Sequence, residues 1–448
     1  MAQDLTEAPA EPNRPVLRFA ARAQSIEGIE HELARMWSTA KLTTMVDGHE
    51  ERHIAARTSV MNLVVIARRP ETGEHCAAIV SELTGRHPSR TLIVSSADPD
   101  GPSWLDAQVR AHCMLPRDGQ AEVCAESIYL TAGGESGRHL MSVVAPLLIH
   151  DLPVTVWWPG EPPFRSPTAA EVLHVADRLV VDGSAWSGEG LARLAEMVEA
   201  ARRNRLAVFD FALTRQSRWR EAIASVFDLP EFLPYLRHLR RVAVTYATHD
   251  PSGRPGGTNV VKPAYHVAWL ASRLGMTVAR PLAPVERGPA RASAPVRPSA
   301  AVRPPARAPR AGGGGEWRAV HPVAMHRGLG AALRTDAHDV SVLLRPVLSE
   351  MPGGTTLRVE LLCRWRSSEL RADVTAEAEN VHARVWQDGI EVLERTFRAP
   401  RRTEADLLAE AIEATAPDPV ADGTFAAVEA LVGDRAREPE PAASSGVM

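Results

Sequence analysis

The sequence is poor in cysteine and in lysine. Its cysteines are Cys76, Cys113, Cys124 and Cys363, and none forms a C-x-x-C pair or a zinc-ligand spacing. This pattern excludes a metal ribbon and a small disulfide scaffold, and it predicts four buried thiols in a reducing compartment. Lysine occurs only at Lys41 and Lys262, so arginine supplies nearly all the positive charge.

The sequence also lacks long apolar runs and a strong charge of either sign. The N-terminal segment MAQDLTEAPAEPNRP is acidic and proline-bearing, unlike a signal peptide. No stretch approaches the ~20 apolar residues that span a bilayer. Lys and Arg number 51 against 55 Asp and Glu, which leaves no basic field for nucleic acid or an anionic membrane. We therefore expect a cytoplasmic protein whose partner is another protein or a small molecule.

Alternating helix and strand patterns predict an α/β fold. Apolar positions at helical spacing indicate a helix over residues 26–40, and short apolar strands follow from Val60. The runs AQVRAHCML and AEVCAESIYLTA flank an Asp-Gly step that favours a hairpin. The prediction is a mixed sheet flanked by helices in the N-terminal part, further α/β structure, and a smaller antiparallel β region with helices at the C-terminus.

Composition suggests where these regions meet. Residues 281–316 contain almost only Pro, Ala, Arg, Ser and Gly, which cannot bury enough apolar area to offset chain entropy. We predict a flexible tail 1–25, an N-terminal α/β domain 26–165, a second α/β region 166–280, a disordered linker or insertion 281–316, a β-rich region with terminal helices 317–435, and a tail 436–448.

The motif His49-Glu50-Glu51-Arg52-His53 matches the zinc-protease pattern H-E-x-x-H. Its intervening residues are charged where a buried zinc helix requires apolar ones, and no third ligand follows shortly downstream. We predict a solvated segment and no metal site.

A glycine-rich segment at a strand-to-helix transition is a weak candidate for phosphate binding. Backbone N–H groups there could hold an anion. The residues concerned are Gly133, Gly134, Ser136, Gly137, Arg138 and His139. The alternative is a plain glycine-rich turn. No dinucleotide fingerprint, Walker lysine or nucleophile elbow accompanies it, so we predict no catalytic residue and no cofactor.

The stretch DLPVTVWWPGEPPF, residues 151–164, ends a strand in two tryptophans before a proline-rich loop. Neighbouring residues of a strand point to opposite faces, so we expect at least one of Trp157 and Trp158 near the surface or under another segment. Rigid aromatic loops favour protein interfaces, and Trp157, Trp158, Pro159 and Phe164 are therefore candidates for partner binding; core filling is the alternative.

Four segments in order resemble the OpcA family of glucose-6-phosphate dehydrogenase assembly proteins. They are RTSVMNLVV (57–65), HPSRTLIV (87–94), DLPVTVWWPGEPPF and DFALTRQSRWREAIASVFD (210–228). In the last, Asp210, Arg215, Trp219 and Arg220 match the family pattern, whereas Leu213 stands where a tryptophan is expected. The resemblance adds Arg215, Trp219 and Arg220 to the partner-binding candidates.

The resemblance implies an auxiliary protein that promotes assembly or activity of the dehydrogenase in the oxidative pentose phosphate pathway, by protein contact and without catalysis of its own. Two alternatives use the Gly133–His139 segment. One is a lactonase-like enzyme of α/β fold that processes sugar phosphates, and the other is a sensor of a sugar-phosphate effector.

Overall fold

The computed structural model describes most of the chain. The described residues are 16–39, 41–46, 49–54, 56–57, 59–84, 86–97, 100–114, 123–251, 256–286, 327–414, 416 and 418–433. The structural statements that follow refer to these residues.

The first half of the chain alternates strands and helices. The elements are β1 (Val16–Ala23), α1 (Ile26–Thr39), β2 (Lys41–Val46), β3 (His49–Ile54), β4 (Ala56–Arg57), β5 (Asn62–Ala67), α2 (Pro70–Glu82), β6 (Arg90–Ser96), β7 (Trp104–Met114), β8 (Val123–Gly133), α3 (Gly134–Arg138), α4 (Leu140–Val144), β9 (Val154–Trp158), α5 (Pro167–His174), β10 (Arg178–Val181), α6 (Leu191–Asn204) and β11 (Ala207–Asp210).

The second half begins with helices and continues as a long run of strands. The elements are α7 (Phe211–Thr214), α8 (Ser217–Phe227), α9 (Leu233–Leu236), β12 (Leu239–Thr248), α10 (Val261–Arg273), β13 (Thr277–Glu286), β14 (Arg327–Arg334), β15 (Asp339–Leu348), β16 (Thr356–Trp365), β17 (Ser368–Glu377), β18 (Asn380–Gln387), β19 (Ile390–Arg398), α11 (Glu404–Glu413) and α12 (Pro419–Val432).

The first large sheet is mixed, as the sequence predicts. Its order is β1-β7-β8-β6-β5-β9-β10-β11, with β4 beside β8. Pairing is antiparallel for β1, β7 and β8 and parallel from β8 to β11. All six residues of β5 and all five of β9 are buried, which is typical of parallel strands covered by helices on both faces.

The second large sheet has the order β13-β14-β15-β12-β16-β17-β18-β19. Only β12 and β15 pair in parallel; the other neighbours are antiparallel. Buried and less buried residues alternate along β15 and β18, so one face turns to the core. Helices α8, α9 and α10 pack on strands of this sheet.

The two sheets divide the chain differently from the sequence-based boundaries. Strands β9, β10 and β11 belong to one sheet, so the predicted boundary at 165/166 falls inside it, and the predicted second region 166–280 contributes to both sheets. The predicted tail 1–25 overlaps β1, which begins at Val16 and pairs with β7. The predicted C-terminal helices are present as α11 and α12.

The predicted linker 281–316 also begins too early, because β13 extends to Glu286. The proline content of this segment predicts a linker. Pro281 and Pro284 nevertheless lie in β13, the edge strand of the second sheet, where the N–H that proline lacks is not needed for pairing. Residues 287–316 and 436–448 lie outside the described residues. Strands β13 and β14 are antiparallel neighbours, so the segment between them joins two strands of one sheet.

The expectation of four free thiols is wrong for two cysteines. Cys113 and Cys124 form a disulfide between β7 and β8, and their Cα atoms are 4.0 Å apart. The pairing register of the two strands places them directly opposite each other, which sequence spacing alone does not show. Cys76 and Cys363 are free and buried, and burial raises the pKa of each thiol to about 12.

The H-E-x-x-H motif forms strand β3, paired antiparallel with β2, and not a helix. Residues four apart on a strand are separated by about 13 Å, too far to share one zinc ion. No group of three metal-ligating side chains occurs within the part of the chain that the structure describes. Among the same residues, no helix has the length and apolar character needed to cross a membrane.

Two nested deletions test where the second sheet ends. Removing residues 287–316 should leave the thermal midpoint nearly unchanged, because Glu286 and Arg327 are already paired neighbours and ten residues remain to join them. Removing 281–316 also deletes the buried Leu282 and six of the ten residues of β13 and should lower the midpoint by several degrees. Equal midpoints for the two deletions, measured by circular dichroism, would contradict the assigned end of β13.

Candidate functional site

Two aspartates lie at the carboxyl ends of adjacent parallel strands. Asp210 is the last residue of β11 and Asp182 directly follows β10. The register pairs Val181 with Asp210, so both carboxylates reach the same edge of the first sheet. In open α/β sheets this edge is where ligands and functional side chains collect.

Asp210 is 1 % exposed and accepts three hydrogen bonds. Its Oδ1 accepts from the backbone N–H of Gly183 (3.0 Å) and of Ala212 (2.7 Å), and its Oδ2 accepts from the hydroxyl of Tyr265 (2.5 Å). Burial, and next the charge of Asp182, raise the pKa of Asp210 to about 6. Burial also raises the pKa of Tyr265 well above its usual value, so the phenol remains the donor.

Asp182 forms a second, less buried cluster with Ser184 and Arg215. Its Oδ1 accepts from the hydroxyl of Ser184 at 2.6 Å, and its Oδ2 accepts from Nη1 of Arg215 at 2.6 Å. The same Nη1 lies 3.4 Å from the Ser184 hydroxyl. The Arg215 side chain keeps 27 % of its surface exposed, so the cluster reaches the surface on that side.

The segment that precedes α10 is hydrogen-bonded to the loop that follows β10. Nδ2 of Asn259 donates to the carbonyls of Gly183 (2.8 Å) and Trp186 (3.0 Å), while its Oδ1 accepts from the N–H of Val261 (3.0 Å). The next residue, Lys262, is partly buried, and burial lowers the pKa of its ammonium. Among the described residues no acceptor lies within hydrogen-bonding distance of that ammonium.

The structure places both predicted tryptophans in the core. Trp157 and Trp158 are 1 % and 6 % exposed. Trp157 packs against Phe211, with ring centroids 6.3 Å apart, in a cluster completed by residues of α11, and Trp158 belongs to the main core. The expectation of a docking indole is therefore corrected in favour of core filling, because helices cover both faces of β9.

The rest of that loop is also largely internal. Phe164 is buried and packs on Trp186 at a centroid distance of 6.4 Å, and Pro159 is half-buried. Trp219 is buried against His266, and Arg220 donates from Nη1 to the carbonyl of Leu213 at 2.7 Å. Of the seven partner-binding candidates, Arg215 alone belongs to the cluster at the sheet edge.

The glycine-rich segment is explained by close packing. A Cβ atom at Gly133 would collide with the indole of Trp104, and Gly134 has a positive φ of 55°. Gly137 is also buried, whereas Ser136 is half-buried. The short helices α3 and α4 follow β8 and are separated at His139.

The two basic side chains of the segment already have acidic neighbours. Arg138 donates to Asp100 at 2.6 Å, and His139 lies 3.2 Å from Glu135. A phosphate on this segment would have to compete with these carboxylates.

Sequence reasoning missed most of the site. It named Asp210 and Arg215 through the family pattern but not Asp182, Ser184, Asn259, Lys262 and Tyr265. Two signals were present: an aspartate follows the apolar run in each of the strands DRLVVD and LAVFDF, and Lys262 is one of two lysines in a chain that otherwise uses arginine.

Comparison with known proteins places the chain in the OpcA family. Residues 80–199 match the model described as the glucose-6-phosphate dehydrogenase subunit N-terminal domain, and residues 206–422 match the corresponding C-terminal domain. The first match covers much of the first sheet, and the second runs from the end of that sheet through the second one. The chain belongs to this family.

Two curated relatives carry the same family name. The OxPP cycle protein OpcA of Synechocystis sp. is 25 % identical over 206 residues, 45 % of this chain and 40 % of the relative. OpcA of Synechococcus elongatus is 23 % identical over 179 residues, 39 % of this chain and 37 % of the relative. The matches thus span about two fifths of the length of each relative.

The solved structures to which the chain is similar have low sequence identity to it. An oxidoreductase from Sinorhizobium meliloti has 12 % identity and a TM-score of 0.42, covering 85 % of this chain and 98 % of that one. Biliverdin reductase from Synechocystis sp. has 9 % identity and a TM-score of 0.42, covering 85 % and 99 %. No conclusion about activity follows from likenesses of this size.

The buried carboxylate predicts a pH-dependent stability. Because the pKa of Asp210 is raised to about 6 in the folded protein, from 3.8 in the free side chain, its ionisation destabilises the fold. This cost is absent below about pH 4, develops as the pH rises to about 6, and is constant above. Urea unfolding of wild type and Asp210→Asn at pH 4 to 7.5 should show the variant gaining relative stability across this window. A difference that does not vary with pH would refute the assignment.

The buried tryptophan predicts a loss of stability and not a selective loss of binding. Trp157→Ala should lower the free energy of unfolding by about 3 to 5 kcal/mol, because it opens a cavity between β9 and α11. Ile390→Ala, at a side chain 70 % exposed, is the matched control and should change it by less than about 0.5 kcal/mol. If chemical denaturation shows similarly small changes in the free energy of unfolding for both substitutions, Trp157 is not a core residue and remains a candidate for partner binding.

Proposed function

We propose that this chain is an assembly or activator subunit of glucose-6-phosphate dehydrogenase, acting by protein contact and without catalysis of its own. The observation that carries the proposal is the match of both domain models of a dehydrogenase subunit, in order, to consecutive parts of the chain. The names of the curated relatives support a role in the OxPP cycle.

The geometry of the sheet edge supports a non-catalytic role. A buried carboxyl group whose pKa is shifted to about 6 is a recurrent feature of acid–base catalysts. Here Asp210 and Tyr265 are 1 % and 0 % exposed, and both carboxylate oxygens already accept hydrogen bonds from the protein. A substrate could reach neither group without opening the core, so the pair is suited to holding the fold together.

Reconstitution with the dehydrogenase of the same organism tests the proposal. The purified chain should co-elute with the dehydrogenase in size-exclusion chromatography and raise its rate of NADPH formation, whereas the chain alone should form no NADPH. Heat-unfolded chain should have no effect. Hydrogen exchange of the complex would then locate the contact surface.

Two results would refute the proposal. One is the absence of both co-elution and activation when the two proteins are folded and mixed at micromolar concentration. The other is turnover of a sugar-phosphate or lactone substrate by the chain alone, which would favour the enzymatic alternative.

A further inference from the structure

The second sheet presents a broad face on the side away from its helices. Helices α8, α9 and α10 pack against the side that carries Val242, Val359 and Val374, which belong to the main core. The residues that alternate with these point to the other side, which we call the open face. Its arginines keep 38 % to 52 % of their side-chain surface exposed; they are Arg241, Arg358, Arg371 and Arg384. The open face is therefore accessible to a partner.

One row of residues, which we call the central row, crosses the open face from edge to edge. Strand pairing aligns one residue from each of the eight strands: Ala283, Gly330, Leu343, Ala243, Glu360, Asp373, Arg384 and Glu394. With neighbouring strands about 4.8 Å apart, the row is about 34 Å long. The strands have eight to ten residues and are therefore about 26 to 33 Å long.

The size of the open face matches what a stable dimer needs. These dimensions give a projected area of about 900 Å², compared with the about 800 Å² that each partner buries in a standard protein interface. The face is thus large enough to form a complete interface by itself.

The charges on the open face alternate in sign from row to row. The central row carries three carboxylates and one arginine, whereas the rows on either side carry only arginines as fully charged groups: Arg241 and Arg371 on one side and Arg358 on the other. A face of one sign would favour a strongly charged partner and would repel a second copy of itself. Rows of opposite sign are instead complementary to a copy displaced by one row.

Salt bridges within the chain hold these charged side chains against the sheet. The pairs are Arg241–Glu360, Arg358–Glu360, Arg358–Asp373, Arg371–Asp373 and Arg384–Glu394. A buried charge without a partner is costly, and ordering a free side chain on binding costs entropy. Because each of these carboxylates already has a partner and a fixed position, both costs of covering the face are reduced.

Apolar side chains lie between the charges. Leu343 is in the central row, and Leu362 and Trp386 are in the row that contains Arg371. All three are half-buried in the single chain, and the guanidinium carbon of Arg371 lies 4.2 Å from the centroid of the Trp386 ring. Tryptophan and arginine are enriched at the centres of protein interfaces. These side chains would gain further burial under a second sheet.

We propose that the open face is the contact surface between two copies of this chain, which stack sheet on sheet about a two-fold axis. Twisted sheets pack face to face about 10 Å apart, so a second copy of the same sheet matches the face in shape as well as in charge. A two-fold contact uses the same patch on both subunits, as this alternation of charge allows. The dimer forms without the dehydrogenase and goes beyond the assembly function.

Sedimentation velocity of the full chain alone, at about 0.1 to 100 µM, tests the proposal. We expect a dimer with twice the mass of the 48.6 kDa chain at about 10 µM and above. Leu343→Arg places a long charged side chain at the centre of the contact and should raise the dissociation constant of the dimer about tenfold or more. Trp386→Ala removes an aromatic anchor and should have an effect of similar size.

Matched controls make the same substitutions away from the open face. Leu233→Arg changes an exposed leucine of α9, on the side of the sheet where the helices pack, and Trp104→Ala removes an exposed tryptophan from β7 of the first sheet. Both should leave the dissociation constant unchanged. Thermal melts establish that all four variants are folded.

Two outcomes would overturn the proposal. One is a dimer that neither Leu343→Arg nor Trp386→Ala weakens more than the controls do, which would place the contact on another surface. The other is a chain that remains monomeric at 100 µM. Hydroxyl-radical footprinting of Trp386 would then identify the occupant: protection in the chain alone would assign the face to a segment of the same chain, and protection only in the complex would assign it to the dehydrogenase.

Discussion

The hydrogen bond between Asp210 and Tyr265 joins the two halves of the molecule. Asp210 ends the last strand of the first sheet, and Tyr265 lies on α10, which packs on β12, β15 and β16 of the second sheet. The aromatic ring of Tyr265 also contacts Phe425 of α12 at a centroid distance of 6.0 Å. One buried carboxylate thus links a sheet edge to the helices that cover the other sheet.

Burying this carboxylate has a free-energy cost that the surrounding residues offset only in part, since the pKa of Asp210 stays raised. A charged group away from water is tolerated only where hydrogen bonds and opposite charges compensate for lost hydration. Two backbone N–H groups and the phenol of Tyr265 donate hydrogen bonds to Asp210, while Arg215 forms a salt bridge with the neighbouring Asp182. The result is a polar centre that is buried at Asp210 and reaches the surface at Arg215.

Local patterns predicted much of the fold but little of the site. The helix over 26–39, the buried strands β5 and β6, the β7–β8 hairpin and the C-terminal strands follow from periodicity and turn signals. By contrast, Asp182, Asn259 and Tyr265 are separated by 83 residues of chain and meet only when β10 and α10 dock. Alternation along the strand predicts at least one of the two tryptophans near the surface or under another segment, because a period-two pattern cannot show that helices cover both faces of a parallel strand.

By itself the sequence determined the α/β class, the family and the absence of a recognised catalytic motif, because these depend on short segments read in order. Only the tertiary structure decided that Cys113 and Cys124 face each other, that Pro281 and Pro284 belong to an edge strand, and that both tryptophans are core. Strand register, sheet order and burial arise from pairings between distant segments. No local propensity encodes them, so the cluster at the sheet edge is a product of the fold.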